Sequence, residues 1–489
     1  AAGRLSSLTL GTATTPQISI TYNSDNTPLT ITDQVGVRTF TYTDNRLIES
    51  VSYNLSSLGI SNTQTLEYSY NPDNTLSTLT WKDGTTTVAS WSYSYDLAGR
   101  VTEITNSFSE TTTFTYDGEG KLLTQGNANN TEVIYSYNEA RNWPTTLTHK
   151  YSGTPFASYA LQYDGGANTV GNLADVTELD STTVDYEYDS LYRLTSEVRT
   201  GTNPYTRTYG YDLANNVTTI NGSSFATYDA GNKLSTLSGG TVYHDSYGNL
   251  RSASAPGVTF TSLSASPYDP RNRLTTGTSG RSYRYHAEGI RGALKPNTSG
   301  AWVGYLHDGT NLLGEINSSG PIAAYTHGPD GLISERLLTG TPKSLWYHYG
   351  PQGETRQLTN SGGTITDTYR YNAYGALLGS TGSTTNPFRY GGKFGYYTDT
   401  TINAILAQQR WYQPQLMRWT TRDPIYFDGG ENTYAYVSAN PVRYVDPSGL
   451  ADLNLFNPQD PLFPIGEDFD KPDNSQIIKQ TDRRVQTTG

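Results

Sequence analysis

Two aspartates stand before prolines late in the chain, Asp423 in "RDPIYFDGGENTYAYVSANP" and Asp446 in "VRYVDPSGLADL", 23 residues apart. Two close carboxylates that share one proton can hydrolyse an amide. One acts as base toward water and the other as acid toward the leaving nitrogen, because like charges at short range push their pKa values apart. On spacing alone a plainer assignment competes. Asp-Pro is a common turn dipeptide, Arg422 or Arg410 can simply pair with a carboxylate, and Asp428 in "YFDGGEN" reads as a turn. Directly after the second pair the chain changes character. The tyrosine-rich sequence stops at Leu450, and the 39 residues from Ala451 on are rich in Pro, Asp and Asn, with no periodicity, no His and no Cys.

The rest of the chain must position these residues, and its composition limits how. Of 489 residues, 40 are Tyr, 48 Gly, one Met and none Cys. With Tyr left out and Gly counted in, the apolar fraction is roughly 36%, against the usual ~45–50%. That suits a sheet wetted on one face, or a wall around a hollow, better than a solid globule. Tyr fits such a wall through its strand propensity, apolar ring and polar tip. Net charge is −12 and the Lys and Arg are scattered, so a nucleic-acid partner is not expected. No segment has the ~20 apolar residues of a membrane helix, and "AAGRLSSLTL" is unlike an export signal. Without Cys there is no disulfide framework and no thiolate metal site. His286, His307, His327 and His348 are spaced 21, 20 and 21 and could be imagined as stacked metal ligands. They ride on the repeat described next, and neither a metal nor another cofactor is expected. Glycine clusters such as "GGAN" and "LSGG" are turns, not phosphate loops.

Internal repetition decides the fold. "YSYDLAGRVTEIT" (93–105), "FTYDGEGKLLTQ" (114–125), "YEYDSLYRLTSEV" (186–198), "YGYDLANNVTTI" (209–220), "ATYDAGNKLSTL" (226–237) and "SPYDPRNRLTTG" (266–277) share one plan. An alternating aromatic strand ends in Tyr-Asp, a short Gly- or Asn-containing turn follows, and then Arg, Lys or Asn precedes an aliphatic residue and a Thr/Ser-rich strand. Anchor tyrosines 95, 116, 137, 163, 188, 211 and 228 are separated by 21, 21, 26, 25, 23 and 17 residues. Period-2 alternation around a turn with an Asp acceptor is a β-hairpin. A lone hairpin is marginal in water, so the array must pair edge to edge, and sustained twist coils the sheet. About eighteen units between Tyr22 and Tyr390 give about 36 strands and ~170 Å of sheet, or a ring roughly 55 Å across. No helix is expected; "TINAILAQQRWY" (401–412) fits helix or strand.

At this point the chain resembles the YD-repeat family: Rhs proteins, Tc toxin B and C components, and teneurins. The resemblance implies an all-β fold, a long hairpin array coiled into a hollow shell. "AAGRLSSLTL" looks like the second half of a repeat, as in a fragment of a longer array. Residues 367–450, with "NPFRY", "RWYQPQLMRW", "RDPI", "GGENTYAYVSANP" and "VDPSGL" in order, resemble the Rhs-associated core, which plugs the shell. Met417 and Gln413-Pro414 replace the family's usual Gly and Asp-Pro at two turn positions.

In toxin-carrying members this core is an intramolecular aspartyl protease that cuts after its DPxGL motif. Carried over, the motif is Asp446, Pro447, Ser448, Gly449 and Leu450, and the cut falls between Leu450 and Ala451. Asp423 and Asp446 are the catalytic pair, Arg410 holds a carboxylate or polarises a carbonyl, and Gly449 admits close backbone approach. The tethered substrate has a high effective concentration, and the enzyme turns over once. The expected organisation is a YD-repeat shell over 1–366, the core over 367–450, and a tail over 451–489. The expected function is a bacterial shell protein, secreted or at the cell surface, that encloses its own C-terminal cargo peptide or toxin and frees it by self-cleavage. Upstream shell repeats or a secretion-apparatus protein are its other expected partners. The alternative is an extracellular adhesive or carbohydrate-binding surface with a core that does not cleave.

Overall fold

The computed structural model describes residues 4–9, 17–165, 171–260 and 267–456. Most of the expected tail therefore lies outside the described residues. Apart from five short 3₁₀ turns, every regular element among the described residues is a β-strand. A twenty-stranded antiparallel meander covers residues 7–224, and a ten-stranded one covers 282–381. Small sheets of two and three strands link them, and a four-stranded sheet lies within 397–419. The ambiguous stretch 401–412 is a hairpin, Ala404–Ala407 against Arg410–Gln413, with Gln408 turned at φ 41°. Neighbour pairing settles what periodicity left open.

The repeat signature has a bonding rationale at every position. In the turn at Asp96, Oδ1 accepts the amides of Ala98 (2.9 Å) and Arg100 (3.0 Å), Gly99 takes φ 78°, and the Arg100 guanidinium closes on Oδ2 at 2.6 Å. The anchor tyrosine then reaches back one repeat. Tyr95 donates to the Leu76 carbonyl (2.8 Å), Tyr116 to Val101 (2.7 Å), Tyr137 to Leu122 (2.8 Å) and Tyr188 to Leu173 (2.7 Å). The basic residue stacks forward, Arg100 over Tyr116 at 4.7 Å and Arg193 over Tyr211 at 4.8 Å. Tyr, Asp, the basic residue and the aliphatic residue are thus a staple between consecutive hairpins, and this selects the sheet over separate units.

The ten-stranded sheet is covered on both faces. Leu306, Leu313, Ile333 and Trp346 pack with Leu79, Trp81, Trp91 and Phe114 of the large sheet. Tyr305, Tyr325, Tyr347 and Leu358 on its other face pack with Phe388, Leu406 and Trp411 of the C-terminal core. Gly314 makes the first contact possible, because a Cβ there would lie 2.6 Å from the Trp81 ring. Later strands of the large sheet close on the core through Tyr159, Val176 and Tyr209 against Tyr374, Tyr412 and Tyr436. The wall thus coils around the core, and no sheet among the described residues closes into a barrel. Tyrosine fills much of the interior: Tyr159, Tyr283, Tyr305, Tyr347, Tyr396 and Tyr412 are each under 2% exposed.

Of the spaced histidines, His286 directly follows the first strand of the ten-stranded sheet and His307, His327 and His348 sit on alternate strands of it. His286 faces Asp33 at 3.2 Å, and His327 donates to the Leu312 carbonyl at 2.7 Å. His348 meets His149 of the large sheet, Nδ1 to Nδ1, at 3.3 Å.

Candidate active site

The core brings Arg410, Asp423 and Asp446 together from three separate segments. Arg410 opens the second strand of the 404–413 hairpin, so its position follows from that tight turn. Asp423 is fixed by its own amide on the Thr433 carbonyl (2.9 Å) and by the Ile425 amide on its Oδ1 (2.9 Å). Asp446 follows the short strand Tyr444–Val445, and the Tyr396 hydroxyl bridges its backbone, accepting from the amide at 2.9 Å and donating to the carbonyl at 2.8 Å. All three side chains are 4% exposed or less. One guanidinium nitrogen, Arg410 Nη2, lies 2.9 Å from Asp423 Oδ2 and 3.0 Å from Asp446 Oδ2. Arg410 Nε donates to the carbonyl of Gly449, one residue before the expected scissile carbonyl, and the guanidinium stacks on Trp419 at 4.2 Å.

The 446–450 loop is built like a repeat turn. Gly449 takes φ 69° and its amide binds the Asp446 carbonyl (3.2 Å), as Gly99 does on Asp96 in the wall. The Leu450 amide donates to Asp446 Oδ1 at 2.9 Å, in the role of Arg100. Two differences set this turn apart. The fifth position, basic in many repeats, is Leu450, and the cation comes instead from Arg410, shared with a second carboxylate. The Asp446 carboxylate also reaches one residue further, and Ala451 N donates to Oδ1 at 3.0 Å. That nitrogen belongs to the Leu450–Ala451 bond. A Cβ on Gly449 would lie 2.5 Å from the Ala407 carbonyl, so this loop passes the hairpin only as glycine.

Burial dominates the electrostatics. The Asp423 carboxyl is pushed up to about 6, first by desolvation, against the pull of Arg410 and with a smaller push from Asp446. Asp446 is also raised by desolvation, while Arg410 and the loop amides hold it down. A Cβ on Gly429 would lie 2.4 Å from Asp423 Oδ2 and 3.1 Å from the Leu450 carbonyl oxygen, so both oxygens border the same glycine. The arrangement can therefore serve both ends of one amide: Asp423 on the oxygen side and Asp446 on the nitrogen side.

Several contributors carried no usable sequence signal. Tyr396 looks like any other aromatic residue, and Trp419 closes the landmark "RWYQPQLMRW" with no role of its own read from it. Gly429 and Asp428 lie in the 3₁₀ turn Tyr426–Gly429, and Asp428 adds a small upward push on Asp423. Asp452 was visible two residues after Leu450 but belonged to the tail. Its carboxyl keeps solvent access, yet the surrounding protein withholds hydration and, with Asp446 nearby, pushes it up to about 7. Ser438 donates to Asp452 Oδ2 at 3.0 Å from a turn in which Val437, Ser438 and Ala439 all have positive φ (43°, 53° and 62°). Left-handed backbone costs a non-glycine residue about 1–2 kcal/mol, so this turn stores roughly 3–6 kcal/mol. Among the described residues no cluster of His, Asp and Glu has metal-ligand geometry.

Comparison with known proteins fits this picture. A family profile described as Teneurin YD-shell matches residues 2–195. The chain is 27% identical over 383 residues to the tRNA3(Ser)-specific nuclease WapA of Bacillus spizizenii, covering 75% of this chain and 15% of that protein. It is 24% identical over 390 residues to double-stranded DNA deaminase toxin A of Burkholderia cenocepacia, covering 75% of this chain and 23% of that one. The crystal structure of TcdB2-TccC3-Cdc42 superposes with a TM-score of 0.70 at 18% identity, over 93% of this chain and 26% of that chain. The chain thus spans about a quarter or less of the length of these relatives. The likeness to the solved structure is one of fold, a coiled hairpin wall, and in sequence the chain is similar to the Teneurin YD-shell profile over its first part and to the toxin proteins named above.

Proposed function

We propose that this chain is a toxin-type shell protein whose core cuts its own Leu450–Ala451 bond once, freeing a C-terminal polypeptide that the wall encloses until export from a bacterial cell. The observation that carries the reading is the pair of carboxylates on one Arg410 nitrogen, with Asp446 Oδ1 3.0 Å from the leaving nitrogen Ala451 N. In the reaction, Asp423 holds the shared proton, as its raised affinity near pH 6 allows, and offers it to the Leu450 carbonyl oxygen. Ionised Asp446 takes a proton from water as the water oxygen adds to the Leu450 carbonyl carbon. Asp446 then passes that proton to Ala451 N, the C–N bond breaks, and Asp423 recovers its own proton. One water is consumed, leaving the Leu450 carboxyl group and the Ala451 amine. Arg410 keeps the two carboxylates together despite their repulsion, and it draws the Gly449 carbonyl, hence the loop, onto the site. The adhesive alternative needs outward tyrosines with spare hydroxyls, whereas the repeat tyrosines spend theirs on neighbouring carbonyls.

The test is intact mass under denaturing conditions for this chain and for Asp446→Asn. The expected result is a wild type split between Leu450 and Ala451 and a variant of full mass. A single uncut mass for the wild type would refute self-cleavage.

A further inference from the structure

We infer that Ser438 and Asp452 form a positioning pair that holds the leaving side of the Leu450–Ala451 bond against Asp446; the inference rests on the self-cleavage reading above. On the acyl side, the loop is pinned by Arg410 on the Gly449 carbonyl and by the Leu450 amide on Asp446 Oδ1. On the amine side, regular pairing resumes only at Leu453–Asn454, which joins Tyr444–Val445. Between these anchors the amine side is held by the Ala451 amide on Asp446 and by the Ser438 hydroxyl on Asp452 Oδ2 (3.0 Å). Ala451 is exposed and has only a methyl side chain, so its orientation depends on its two neighbours.

The turn that carries Ser438 is shaped for this contact. Its three residues lie in the backbone region that favours glycine, yet none is glycine. The surroundings hold them there. Val437 and Ala439 are buried at 1% and 2% exposure, and the Asn440 amide group donates to the Asn172 side chain (2.9 Å) and the Tyr192 carbonyl (2.8 Å) of the wall. Strained backbone persists where packing over-determines it, and it concentrates where a side chain must be aimed. Here the aimed group is a hydroxyl and its target is the second residue after the expected cut.

The experiment follows self-cleavage in time during cell-free synthesis of the full chain, by pulse–chase and denaturing mass. Ser438→Gly removes the hydroxyl while easing the backbone, so the variant folds at least as well as the wild type. It should nevertheless cut about 10-fold slower or more, the loss of the hydrogen bond that positions the bond. Asp452→Ala should slow cutting to the same degree, and Asp452→Asn, which keeps an acceptor oxygen, should stay within about 3-fold of wild type. The double variant Ser438→Gly/Asp452→Ala should be no slower than either single one. Ser438→Gly cutting at the wild-type rate would overturn the positioning role while leaving self-cleavage intact. A wild type that never cuts would instead remove the reaction itself, and the positioning role with it.

Discussion

The raised proton affinity of Asp423 means that the site is kept at a cost in stability, and Asp423→Asn should recover it. The carboxyl moves from an ordinary value of 3.8 to about 6 in the folded chain. Between these values the folded state holds a proton that the unfolded state has lost, so stability is fully present below about pH 4. It declines as pH rises and is gone above about pH 6. About two units at ~1.4 kcal/mol each make this roughly 3 kcal/mol at neutral pH. Asparagine resembles the protonated acid in shape and charge, so it should restore most of that energy at pH 7 and none at pH 4. Asp446→Asn serves as the uncut reference, since Asp446 is a minor contributor to the Asp423 shift. Hydrogen exchange at the amides of Trp419 and Thr420, bonded to the Tyr434 and Trp411 carbonyls, reports opening of this site without assuming a two-state chain. The Asp446→Asn/Asp423→Asn chain should show up to ~100-fold slower opening-limited exchange than the reference at pH 7, after correction for intrinsic rates. No gain at pH 7, or an equal gain at pH 4, would refute the desolvation argument and leave Asp423 an ordinary ion-pair partner.

Two further perturbations probe the frame. Gly449→Ala places a Cβ 2.5 Å from the Ala407 carbonyl and 2.9 Å from the Arg410 amide in a left-handed backbone; it should abolish cutting and lower the melting temperature, and unchanged cutting would show that the loop approaches the hairpin differently. His149 is held neutral by burial, its affinity lowered to about 4, and its Nε2 donates to the Tyr349 carbonyl at 2.8 Å. The unfolded chain binds this proton near pH 6.5, so the contact between the large and ten-stranded sheets should weaken as pH falls from about 6.5 to 4. His149→Phe should flatten that loss, read as amide exchange at His348 and Thr359 against pH.

Whatever depends on neighbours along the chain is legible in the sequence. Tyr-Asp, the turn glycine or asparagine and the following basic and aliphatic residues specify hairpins, because Asp96-type acceptors, positive φ and strand alternation act within a few residues. The ordered landmarks of 367–450 point, through the family resemblance, to Asp423, Asp446 and Arg410. The staple between repeats was only half visible: Tyr was expected as an amphipathic wall residue, whereas its hydroxyl crosses to a carbonyl about 15–20 residues earlier. Tertiary structure alone decided that the ten-stranded sheet is buried on both faces, since Gly314 reads as a strand glycine until Trp81 lies on it. It alone set two carboxylates on one Arg410 nitrogen and put Asp446 Oδ1 on the Ala451 amide rather than at some other spacing. Ser438 and Asp452 were illegible for the same reason. Their meeting depends on a left-handed turn that local propensity disfavours and that only the packing of Val437, Ala439 and Asn440 against distant strands can hold.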